Sequence, residues 1–166
     1  MQNTITQYLA NVGDSKDRLA LGTLFKAIGD RFSSQATSTA GLVISATTTK
    51  AKIGAVAFQG VANGTPVAIA AATDMPALTA ANSISAGAYG IVCFFIDSAS
   101  TVTALSGTEG ATLALAKFPQ FPVGQALVGY LVITYASAFV GGTTVLSTAT
   151  TVYVSPVGAF DPSVAL

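Results

Sequence analysis

The sequence predicts a mainly β protein, a jelly-roll or β-sandwich-like barrel that carries an N-terminal α-helical arm. Three observations support this. Amphipathic helical spacing is confined to the residues before 33, whereas the chain after 41 breaks into short segments rich in Val, Ile, Thr, Phe and Tyr. Gly, Pro, Asn and Ser separate those segments, which is the pattern of strands and turns. Finally, 51% of the 166 residues are apolar and 8% are charged, against about a quarter charged in an ordinary domain.

Taken in order, Ile5, Tyr8, Leu9 and Val12 recur at helical spacing and are followed by Gly13, where a left-handed helix stop belongs. Asp14 offers an N-cap for a second helix near 15–31, whose stripe is Leu21, Leu24, Phe25, Ile28 and Phe32. These nine apolar residues are the candidate docking surface of the arm, residues 1–32. Residues 33–41, Ser-Ser-Gln-Ala-Thr-Ser-Thr-Ala-Gly, have no periodicity and read as a linker to a β domain over 42–166.

In the β domain, strands are expected near 42–47, 52–59, 65–71, 90–97, 101–105, 112–116, 126–135, 143–146 and 151–155. Their number and spacing point to a sandwich or jelly roll. Asn63-Gly64 should close a hairpin, because both central positions of a type I′ turn need positive φ. Pro66, just after it, cannot donate a ladder hydrogen bond and marks an edge strand. The runs 89–96 and 126–135 do not alternate: Tyr89, Ile91, Cys93 and Phe95 lie on one face, Val92, Phe94 and Ile96 on the other. Either neighbouring subunits meet the second face, or the N-terminal helix caps it.

Charge narrows the function classes. Net charge is zero, seven of the fourteen charged residues fall between Asp14 and Arg31, and none lies between Lys117 and Asp161. A neutral chain lacks the attraction that nucleic acid or an anionic membrane requires. Gly, Ser and Thr interrupt every apolar run well short of the roughly 20 residues of a spanning helix. The first eleven residues lack the basic and apolar regions of a signal peptide, so assembly in the cytoplasm is expected.

The chemical inventory is short. There is no histidine and one cysteine, which removes histidine-activated nucleophiles, zinc sites and an internal disulfide. No catalytic residue, cofactor or metal ligand is expected. Asp97 and Glu109 are the one carboxylate pair that a hairpin would bring together, though both fall in polar turn sequences that favour such residues for other reasons. Asp74 and Asp161 precede Met75-Pro76 and Pro162 and also read as turn residues. Lys50 and Lys52 read as solvated strand-edge lysines, and Cys93, in an apolar run, as a small inert hydrophobe.

The C-terminal third adds a resemblance. Ala-Lys-Phe-Pro-Gln-Phe-Pro (116–122) leads into Gln-Ala-Leu-Val-Gly-Tyr-Leu-Val-Ile (125–133). Ala-Phe-Val-Gly-Gly-Thr-Thr-Val-Leu (138–146), Val-Tyr-Val (152–154) and Gly-Ala-Phe-Asp-Pro (158–162) follow. This succession resembles virion structural proteins of tailed bacteriophages, particularly head decoration or cement proteins. The resemblance implies a homotrimer on the capsid surface of the virion, with the N-terminal arm contacting the major capsid protein and no covalent chemistry. The alternative within the same class is a tail or head fibre subunit that attaches to a host.

Overall fold

The computed structural model describes residues 15–160. Ile5, Tyr8, Leu9, Val12 and the Asp14 cap lie outside the described residues, as does Asp161. Within them, helix α1 spans Ser15–Phe32, as the apolar spacing predicts. Nine strands follow: β1 Gln35–Ala36, β2 Val43–Ile44, β3 Ala51–Lys52, β4 Phe58–Ala62, β5 Thr65–Ile69, β6 Tyr89–Ile96, β7 Val102–Ser106, β8 Ala126–Thr134 and β9 Thr150–Val154. The protein is mainly β. Its sheets are antiparallel, with strand orders β1-β4-β5, β2-β3 and β7-β6-β8-β9, and none closes into a barrel.

The Asn63-Gly64 turn has φ of 50° and 76° and joins β4 to β5 with Ala62 opposite Thr65, the type I′ geometry expected of those two residues. β5 is an edge, as Pro66 predicts. Residues 33–41 are more than a spacer. β1 pairs with β4, the Gly158 N–H donates to the Ala36 carbonyl, and Ala36 and Ala40 are buried. Small side chains there allow close approach to the body, a property that lack of periodicity does not reveal. The residues after the helix are also tied to the hairpin turn: the Gly64 N–H donates to the Ser33 carbonyl and the Asn63 N–H to Ser34 Oγ.

Two expected strands are absent. Residues 113–115 form a 3-10 helix, Leu113–Leu115, because the Leu115 and Ala116 N–H groups fold back onto the Thr112 carbonyl. The chain must reverse here for Lys117 to bridge to Thr108. Residues 143–146 form turns after Gly142, whose φ is 79°, with the Thr143 and Thr144 N–H groups both donating to the Val140 carbonyl. The expected strand 52–59 divides into β3 and β4, and 42–47 keeps only the two residues of β2.

The main core brings together one face of β6 and β8 (Val92, Phe94, Ile96, Leu131, Ile133) and the inward residues of β4 and β5 (Phe58, Ala62, Val67, Ile69), with Ile53, Met75, Phe139 and Leu146 completing it. A register shift at Phe94/Phe95 leaves Val128 as the extra residue of β8, and it too is fully buried.

Candidate interaction surfaces

The second face of the large sheet is covered from within the chain. Ile91, Cys93, Phe95, Leu127 and Tyr130 are all buried there, packed by Leu105, Phe118, Phe121, Val154 and Phe160. The Phe118 ring meets Tyr130 edge-on at 5.0 Å, Phe160 at 5.4 Å and Phe121 at 6.2 Å. Phe121 in turn meets Phe95 at 5.0 Å and stacks on Phe160 at 5.9 Å. The expectation that neighbours or the N-terminal helix cover this face is therefore corrected. Ala116, Phe118, Phe121 and Phe160 cover it, with aromatic rings supplying the contacts across the face.

The arm behaves differently. Of its stripe, Leu21 is half-buried, while Leu24, Phe25, Ile28 and Phe32 are 53%, 41%, 41% and 65% exposed. At 100° per residue these five positions fall within one third of the helix circumference. The structure thus brings them onto one face and leaves that face in solvent. Gly22 and Gly29 interrupt the helix, each costing about 1 kcal/mol relative to Ala.

The polar candidates resolve into local structural roles. Asp97 Oδ1 accepts from the Ala99 and Thr101 N–H groups, both at 2.9 Å, and closes the β6–β7 turn. Glu109 accepts from Ser85 Oγ at 2.6 Å and from the Ser85 N–H at 2.8 Å. Those bonds, the hydroxyl's first, hold its carboxyl below the ordinary value. Glu109 adjoins Gly110, which bridges to Tyr89, whereas Asp97 follows Ile96 at the far end of β6. At about 3.3 Å per residue the two lie more than about 20 Å apart, too far to act as an acid–base pair across a glycosidic bond. Asp74 accepts a hydrogen bond from Ser45 Oγ. Lys52 is a ladder residue of the β2–β3 hairpin. Burial pushes the Cys93 thiol far above its usual range, which leaves it unreactive.

Sequence reasoning did not single out Asn82. It is buried, accepts from the Thr79 N–H and hydroxyl, and donates from Nδ2 to Ser106 Oγ at 2.8 Å. It fastens the 3-10 helix Ala80–Asn82 to the end of β7. The described residues form clefts on the surface. One of about 370 Å³ is lined by Ser83, Ser85, Ser106, Glu109 and Phe139; another, about 420 Å³, by Pro119, Phe121, Pro122, Val123 and Phe160. Among the described residues no group of three or more His, Cys, Asp or Glu side chains is placed to hold a metal ion. Among them, too, no helix is long and apolar enough to cross a membrane. No family model, curated protein or solved structure matches the chain.

Proposed function

We propose that the protein is a capsid decoration, or cement, protein of a tailed-bacteriophage particle. In this reading it assembles in the host cytoplasm and binds the major capsid protein on the virion surface, with the antiparallel domain as its jelly-roll-like body. The observation that carries the reading is the solvent-facing apolar stripe of α1. Most helical stability in proteins comes from packing of an apolar face, and a helix interrupted by two glycines depends on it more. A helix whose apolar side chains sit at i, i+3, i+4, i+7 and i+11 is suited to a groove on another protein. Removing the remaining exposed area of Leu24, Phe25, Ile28 and Phe32 from water is worth about 4 kcal/mol before the costs of association.

Binding of this kind reinforces a lattice by mass action, since a ligand of the assembled state stabilises that state. The test is thermal release of DNA from particles with and without the protein. Release at a higher temperature when the protein is bound is the expected result, and equal release temperatures refute a reinforcing role.

A further inference from the structure

The edges of the sheets are not protected equally. On the three-stranded sheet, β1 is flanked by Gly158, whose N–H donates to the Ala36 carbonyl. At the other edge, β5 carries Pro66 opposite Val61, one residue beyond the hydrogen-bonded pair that closes the turn. Pro66 therefore stands where the strand would direct an N–H outward. The four-stranded sheet has neither device. Both of its edges, β7 (Val-Thr-Ala-Leu-Ser) and β9 (Thr-Thr-Val-Tyr-Val), are five residues long and free of charge and proline. Such edges are templates for strand addition.

Hydrogen-bond parity identifies the open groups. Tyr89 exchanges both backbone bonds with Gly110, and the Gly107 N–H donates to the Ile91 carbonyl, so the odd-numbered residues of β6 face the β7 side. Val92, Phe94 and Gly90 then face β8 at Leu131, Gly129 and Ile133. Tyr130, Val132 and Thr134 face β9 at Val154, Val152 and Thr150. By this alternation, Thr151 and Tyr153 of β9 and Val102, Ala104 and Ser106 of β7 direct their N–H and C=O groups outward. No backbone hydrogen bond reaches those groups among the described residues.

We infer that copies of this chain join edge to edge, β9 of one pairing antiparallel with β7 of the next. β7 and β9 run in opposite directions within the sheet, so rotation about an axis along the strands brings them together antiparallel. Such head-to-tail pairing occupies both open edges at once and gives a ring where the rotation closes. Pairing of β9 with a second β9 leaves β7 open. Sheet continuity fixes the parity of the register: Thr103 and Leu105 share a face with Thr150 and Val152, because Leu105 is opposite Cys93 and Val152 is opposite Val132. Hydrogen-bonded pairs Ala104–Thr151 and Val102–Tyr153 then flank a non-hydrogen-bonded pair, Thr103–Val152. This register leaves Ser106, already held by Asn82, outside the junction. Thr103 is exposed and Val152 is 53% exposed, so both are available to a neighbour.

The inference is independent of capsid binding, and the purified full-length protein tests it. One preparation carries Thr103→Cys and another Val152→Cys; they are mixed and oxidised. Within one chain the two positions lie three strand spacings apart across the sheet, so at least about 14 Å, beyond disulfide reach. A covalent dimer from the mixture, absent from either variant alone, is expected. A dimer formed through Leu105→Cys with Val152→Cys marks a two-residue slip and supports the same edges. Dimer from Val152→Cys alone, with none added by mixing, overturns the inference in favour of a two-fold β9 contact. No cross-link in any mixture overturns it outright. Thr151→Pro, which removes an outward N–H and the Thr151 Oγ1 bond to the Leu146 carbonyl but leaves the β8 ladder intact, is expected to shift the assembly to monomer in sedimentation velocity with unchanged circular dichroism. Undiminished association of that variant also refutes it.

Discussion

Replacing Phe118 by alanine tests whether the second face of the large sheet is closed by the chain itself. The substitution removes three ring contacts, to Tyr130, Phe160 and Phe121, each worth about 0.5–1.5 kcal/mol beyond area burial. Phe118 is only partly buried, so the total belongs at the lower end of the range for phenylalanine truncation, about 3 kcal/mol. For a chain of this size that corresponds to a fall in Tm of roughly 6–12 °C. Chemical denaturation gives the free energy, and a thiol reagent added under native conditions gives a second readout. Cys93 lies beneath this cover and is fully buried; its labelling should be very slow in the wild type and faster in Phe118→Ala. A loss below about 1 kcal/mol, or rapid labelling of the wild-type thiol, would show that residues 116–121 do not seal the face.

Other outcomes follow from the same geometry. Gly64→Ala should cost about 1 kcal/mol in a denaturant titration; φ is 76° and nothing lies within 4 Å of the added methyl, so the cost is conformational and no clash contributes. Because Ser85 depresses the folded-state pKa of Glu109, this group's stabilising contribution is present above its unfolded pKa of about 4.3 and is lost as pH falls through the folded value. Glu109→Gln should flatten that part of an acid titration of stability. Leu24→Glu and Ile28→Glu, on the exposed helix face, should leave the stability of the purified chain within about 0.5 kcal/mol and abolish binding to capsids in a co-sedimentation assay.

The degree to which each feature was legible depended on the range of the interactions behind it. Helix α1 and the Asn63-Gly64 turn are governed by contacts within a few residues, so spacing and residue type suffice. β6 and β8 were legible as strands buried on both faces because neither alternates with polar residues. Their cover was not legible, since Phe118, Phe121 and Phe160 reach Phe95 and Tyr130 only through the folded path of the chain. The segment 112–116 has strand composition, yet its backbone turns back on Thr112 to return Lys117 to Thr108. Ser85 and Glu109, 24 residues apart, become partners only once Gly110 pairs with Tyr89.

Sequence by itself determined that the chain is mainly β, that a helix with one apolar face precedes the strands, and that histidine is missing. Those properties follow from residue type and short-range periodicity. Only the tertiary structure decided which apolar surfaces remain to be covered. The aromatic face of the large sheet is closed by the chain's own later residues, whereas among the described residues the α1 stripe and the β7 and β9 edges are left open. Burial depends on which distant segments return to a surface, and local composition carries no record of that path.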